Sequence, residues 1–104
     1  MKNKDLSFNQ QCWQLLKKIP KGKVTTYKAL ANALNTKAYQ AVGSAMAANP
    51  DLISVPCHRV INSDGRIGKF ALGEAKKIEL LRSEGIEIKD NKVVDLEHCF
   101  FDFS

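Results

Sequence analysis

Cys57 follows Pro56 and precedes His58 and Arg59. A cysteine attacks carbon as its thiolate, and adjacent cationic or basic groups bring that thiolate within reach. Pro56 stiffens the approach and biases Val55 towards an extended backbone. In an extended run from Asp51 to Ile61, Cys57 and His58 point to opposite faces. The imidazole then acts on the sulfur only through a bridging water or a bent backbone, so Cys–His adjacency by itself is weak evidence of catalysis. Glu84 is a second oddity. It sits in the last turn of a predicted helix, where the helix dipole disfavours an anion by a few tenths to about 1 kcal/mol. Buried beside His58, it would orient the imidazole and stabilise its charged form, as the third member of a triad does. On the surface it would be an ordinary solvated carboxylate.

The elements that must position these residues can be read from caps, periodicity and breakers. Ser7-Phe8-Asn9-Gln10 has the form of a capping box. Phe8, Cys12, Leu15, Leu16 and Ile19 then mark one helical face, ended by Pro20 and Gly22. Cys12 on that face reads as a small core residue. Thr25 or Thr26 caps a second helix with Ala29, Leu30, Ala33 and Leu34 inward. Asn35-Thr36-Lys37 forms a turn, and a third helix runs from about Ala38 to Ala48, stopped by Asn49-Pro50. Two short helices joined this way look like a helix-turn-helix. The third helix is rich in small residues, among them Ala41, Gly43, Ser44, Ala45, Ala47 and Ala48. That suits close packing in a core, which the segment alone favours. It also suits approach to a nucleic-acid groove, with Gln40 and Ser44 on one face.

Beyond Cys57, Asn62-Ser63-Asp64-Gly65 is a turn, and Gly68 and Gly73 flank a loop. Glu74 to Glu84 reads as a helix with Ala75, Ile78 and Leu81 inward, Leu80 at the edge and Gly85 as C-cap. Ile86-Glu87-Ile88, Asp90-Asn91 and Val93-Val94 form a small hairpin. The aromatic tail from Cys99 to Phe103 packs back on the body.

At 104 residues and 44% apolar content the chain fits a single folded domain, 1–104. Lys and Arg outnumber Asp and Glu by 16 to 11, giving a net charge of +5, which suits a polyanionic partner without requiring one. No apolar run has the length of a membrane span and no secretory signal opens the chain. An intracellular, non-secreted protein is therefore expected. Its three cysteines have no CxxC spacing, so neither a disulfide framework nor a zinc site is expected.

Pro56-Cys57-His58-Arg59-Val60 resembles the active-site motif of the O6-alkylguanine-DNA alkyltransferases, the methylated-DNA–protein-cysteine methyltransferases. Ile19-Pro20-Lys21-Gly22-Lys23-Val24-Thr25-Thr26-Tyr27 is similar to that family's lead-in to its helix-turn-helix. Ala41-Val42-Gly43-Ser44-Ala45-Met46, followed by Asn49-Pro50, resembles its recognition helix and the turn after it. Leu80-Leu81-Arg82-Ser83-Glu84-Gly85 closes the match, which covers roughly Phe8 to Ile88.

The resemblance implies a mainly α, winged helix-turn-helix-like DNA-binding domain with a short β-hairpin and no N-terminal domain. Cys57 would accept the alkyl group irreversibly, with His58 as its base through a water, Glu84 paired to His58, and Asn49 holding the turn. Tyr27 would help protonate the leaving purine. Gln40, Ala41, Ser44, Thr26 and Arg59 would meet the DNA, while Tyr27, Met46, Val60 and Ala71 would surround the flipped base. The implied partner is double-stranded DNA containing O6-alkylguanine, with O4-alkylthymine a further substrate, met by a monomer without metal or cofactor. The compartment would be the cytoplasm, at the nucleoid, or the nucleus. Two departures stand out: Gln40 replaces an intercalating arginine, and Ala71 replaces a serine over the substrate. A second reading is a damage sensor that recruits excision repair, like the short alkyltransferase-like proteins. Those typically carry tryptophan where this chain has Cys57.

Overall fold

Ser7 begins the first helix with a reciprocal cap. Its hydroxyl accepts from the Gln10 amide at 3.1 Å, and the Gln10 side chain accepts from the Ser7 amide at 2.9 Å. The computed structural model describes residues 7–49, 51 and 54–103. Helix α1 spans Phe8–Leu16 and buries Cys12 and Leu16 completely. Strand β1, Thr25–Thr26, leads directly into α2, Tyr27–Ala33, whose N-cap is Thr26, accepting from the Ala29 amide. After a turn containing Asn35 in the left-handed region, α3 covers Tyr39–Ala47. Helices α2 and α3 are the two arms of the helix-turn-helix. The Trp13 indole N–H donates to the Ala45 carbonyl at 2.9 Å and ties α1 to α3.

Strand β2, Val60–Ile61, pairs in parallel with β1 in the register Thr25 to Val60 and Thr26 to Ile61. Successive strand residues point to opposite sides. Val60 therefore enters the core beneath α1, α2 and α3, while Ile61 enters a second core beneath α4. Helix α4 covers Glu74–Ser83, and the hairpin β3 (Ile88–Lys89) and β4 (Lys92–Val93) follows. Asp90 and Asn91, both at positive φ, make the two-residue turn that matches the twist of the hairpin. A last short helix, α5 (Leu96–Cys99), was not foreseen from the sequence. It returns the tail to β1: the Val24 amide donates to the Cys99 carbonyl and the Phe101 amide to the Val24 carbonyl. Phe101 and Phe103 pack on the first core edge to face, centroids 5.2 Å apart. The fold is mainly helical with short strands. No helix among the described residues is long and apolar enough to cross a membrane.

The inner face of α4 departs from the apolar pattern. Ala75 is exposed, and the buried stripe is Lys77 and Leu81, with Ile78 partly covered. An exposed alanine costs little, whereas Lys77 finds two backbone carbonyls inside.

Candidate active site and nucleic-acid face

The segment around Cys57 is not extended. The Cys57 amide donates to the Val55 carbonyl at 2.8 Å and the Arg59 amide to the Pro56 carbonyl at 3.0 Å. Cys57–Arg59 thus form one turn of 3-10 helix. Buried backbone groups must be paired, and β1 offers partners only from Val60 onward. The preceding residues close bonds on themselves instead. As a result Cys57 and His58 are both buried, at 4% and 5% exposure, where an extended strand would have sent them apart.

His58 Nε2 lies 3.0 Å from Glu84 Oε2. Arg59 grips the same carboxylate twice, Nε to Oε1 at 2.9 Å and an Nη to Oε2 at 2.7 Å, and its other Nη donates to the Ile19 carbonyl at 2.8 Å. Glu84 caps the C-terminal end of α4. The helix dipole and burial both oppose its charge there, and the bidentate guanidinium offsets them. Burial pushes the Glu84 carboxyl up, but Arg59 and His58 outweigh it and hold it below its ordinary value. With Nε2 engaged as a donor, the other ring nitrogen, Nδ1, is left as the basic one. It is buried without a partner among the described residues. Phe70 meets the imidazole edge to face at 6.3 Å.

Burial raises the Cys57 thiol above its ordinary value, opposed by the Asn49 amide and by the Lys77 charge. Burial lowers His58, with Glu84 pulling the other way. The resting pair is therefore a neutral thiol beside a neutral imidazole. Asn49 braces the turn between α3 and the cysteine: its Nδ2 donates to the Val55 carbonyl at 2.7 Å and its Oδ1 accepts from the Asp51 amide at 2.9 Å.

A cavity of about 870 Å³ opens beside the sulfur. Of the residues singled out by sequence, Tyr27, Gln40, Ser44, Met46, Cys57 and Ala71 all line it. Burial raises the Tyr27 phenol above its ordinary value, and negative charge on Cys57 acts in the same direction. The small residues of α3 divide their work: Val42 and Ala45 are buried in the core, whereas Gly43, Ser44 and Ala47 line the cavity.

Four placements differ from expectation. Val60 is fully buried and its carbonyl already accepts from Lys77, so it belongs to the framework and not to the cavity wall. The Thr26 hydroxyl is occupied as the α2 cap and only 6% of the residue is exposed. The Arg59 guanidinium is engaged by Glu84 and Ile19, which leaves it as an internal clamp, not a phosphate ligand. Ala41 is half-buried on α3 and does not line the cavity.

Lys77 went unnoticed in the sequence. It is completely buried, and its ammonium donates to the Val60 carbonyl at 2.7 Å and the Lys69 carbonyl at 3.1 Å. It thus joins the strand after Cys57 to the loop over the cavity. Burial lowers its pKa to about 8, against the attraction of Cys57 and Glu74. The signal was its spacing, since Lys77, Leu81 and Glu84 fall on one helical stripe. Asn62 was also missed as a site residue. It follows Ile61 as Tyr27 follows Thr26, and the parallel register sets the two side by side at the cavity. Among the described residues, no cluster of three or more His, Cys, Asp or Glu is arranged to hold a metal ion.

Residues 7–86 match the family described as 6-O-methylguanine DNA methyltransferase, DNA binding domain. The bifunctional transcriptional activator/DNA repair enzyme Ada of Escherichia coli is 47% identical over 79 residues, which are 75% of this chain and 22% of that protein. The methylated-DNA–protein-cysteine methyltransferase of Mus musculus is 49% identical over 83 residues, 77% of this chain and 39% of its own length. The chain therefore spans well under half of either curated relative. The crystal structure of S. pombe Atl1 in complex with damaged DNA containing O6-carboxymethylguanine superposes with a TM-score of 0.81 at 31% identity, covering 91% of this chain and 94% of that one. From the match over residues 7–86 and these identities, the chain belongs to the 6-O-methylguanine DNA methyltransferase family, through that family's DNA-binding domain.

Proposed function

We propose that this protein binds duplex DNA at O6-alkylguanine and transfers the alkyl group to Cys57. The observation that carries the reading is a buried cysteine beside a His–Glu–Arg network, opening onto a cavity that Tyr27 also lines. An alkylated guanine in a duplex keeps its O6 carbon out of reach, so the nucleotide rotates into the cavity. His58, its Nε2–H directed at Glu84, takes the thiol proton at Nδ1 through a bridging water. The sulfur then bonds the alkyl carbon as the carbon–O6 bond breaks. Tyr27 donates its phenolic proton to the leaving purine and is reprotonated from the imidazolium. The net result is a thioether on Cys57 and a normal guanine carrying the former thiol proton. A thioether has no labile acyl carbon for water to attack, so each molecule reacts once.

The second reading, recognition without transfer, is supported by one observation: the structure that superposes with a TM-score of 0.81 is that of Atl1 in complex with damaged DNA. The thiol at Cys57 argues for transfer. Intact-protein mass spectrometry after mixing with an O6-methylguanine duplex tests this. One added methyl, mapped to Cys57 and not to Cys12 or Cys99, supports repair. Bound duplex with unmodified protein supports sensing.

A further inference from the structure

We propose that Tyr39 is the stacking wedge that fills the DNA helix when the damaged nucleotide rotates out; this rests on the alkylguanine reading above. Tyr39 opens α3 and is 46% exposed, an unusual position for a large ring whose phenol has no hydrogen-bond partner among the described residues. It lines the same cavity as Cys57 and Tyr27, at the rim. Along the helix from it, Gly43 and Ala47 follow at the i+4 and i+8 positions on the same stripe. A side chain built at Gly43 would meet nothing within 4 Å, so the floor beside the ring is open. A tall aromatic thus stands at one end of a smooth, low face.

That shape fits a specific need. Extruding a base opens a gap one base thick and costs a few kcal/mol of stacking and pairing. Proteins that part base steps in the minor groove insert apolar wedges, and an aromatic face stacks on any base. The next residue, Gln40, also lines the cavity but has no ring; its amide can only hydrogen-bond an orphaned base edge. The two neighbours divide the task, the ring of Tyr39 stacking in the gap and the amide of Gln40 meeting the unpaired cytosine. Because Tyr39 lies outside both cores, its removal leaves the fold intact.

The test compares wild type, Tyr39→Ala and Tyr39→Phe. Single-turnover transfer from an O6-methylguanine duplex at subsaturating DNA should slow about tenfold in Tyr39→Ala and stay near wild type in Tyr39→Phe, given the worth of base–aromatic stacking. Reaction with free O6-benzylguanine, which needs no extrusion, should lose much less than the duplex reaction in Tyr39→Ala, so that the duplex-to-free-base rate ratio falls several-fold. In a Cys57→Ala background, Tyr39→Ala should weaken binding to the damaged duplex about tenfold and to undamaged duplex much less. Equal rates and equal affinities for wild type and Tyr39→Ala on damaged duplex overturn the wedge. Failure of wild type to react with either substrate overturns the transfer reading instead, and the affinity comparison still decides the wedge.

Discussion

Arg59 holds both carboxylate oxygens of Glu84, one through Nε at 2.9 Å and the other through an Nη at 2.7 Å. The pair is largely buried, with side-chain exposures of 15% and 9%. Removing one partner of such a pair strands a charge in the interior, which costs about 3 kcal/mol or more. Arg59→Ala should therefore lower Tm on the order of 10 °C. The same variant should leave the salt dependence of DNA binding unchanged, because no phosphate contact is lost. A shallower salt slope with normal stability would put Arg59 on the DNA.

The position of His58 predicts the acid limb of the proposed transfer reaction. Burial lowers the imidazole below 6.5 while Glu84 pulls it back up. The neutral, basic form therefore prevails at and above pH 6.5, and the rate should fall only below it. In Glu84→Gln the raising contribution is gone, so the plateau should drop and the acid limb should move to lower pH. A limb that moves to higher pH would contradict the pairing. In rate, Glu84→Gln combined with His58→Ala should lose less than the two single losses together, since the carboxylate acts through the imidazole. Stopped-flow transfer over a pH series reads all three.

Elements with local signals were legible in the sequence. The Ser7–Gln10 cap, the Asp90-Asn91 hairpin turn and the Gly85 helix stop each rest on chemistry within a few residues. Long-range pairing was not. Nothing adjacent to Cys57 reveals that β1 offers partners only from Val60, yet that decides the 3-10 turn and the burial of His58 beside the thiol. Arg59 was misplaced for the same reason: its carboxylate partner lies twenty-five residues away. Lys77 was passed over because an apolar count discards a lysine, although its carbonyl partners make burial tolerable.

Lys77 predicts a second pH effect, on stability. Its pKa falls from 10.5 unfolded to about 8 folded. Between these values the unfolded chain holds more protons, so the contribution of this group to stability rises with pH across that window. It corresponds to about 3 kcal/mol over the full interval. Cys12, raised by burial to about 11, pulls the other way as pH rises above 9. The comparison with Lys77→Met cancels Cys12. Wild type should gain on the variant from pH 8 to 10.5 by urea denaturation, and a constant difference would mean the amine is not buried charged. At neutral pH the variant should also be slower in transfer, as the Lys77 charge favours the Cys57 thiolate.

Gly68 tests how closely the loop over the cavity must approach the residue after β2. Its φ is +75°, a conformation that glycine adopts freely and other residues at a cost of about 1 kcal/mol or more. A Cβ there would lie 3.1 Å from Asn62 Oδ1 and 3.5 Å from its Cγ. Gly68 and Asn62 both line the cavity, so the loop and the strand end can separate only by reshaping it. Gly68→Ala should therefore cost about 1–2 kcal/mol in stability and slow reaction with free O6-benzylguanine as well as with duplex. That pattern differs from the effect expected at Tyr39, where the duplex reaction suffers much more than the free-base one. Adding Asn62→Ala to Gly68→Ala removes the collision but not the strained φ. The double variant should recover part of the transfer rate and little of the stability. Full recovery of both would show that crowding by Asn62, and not backbone conformation, is what requires glycine at this position.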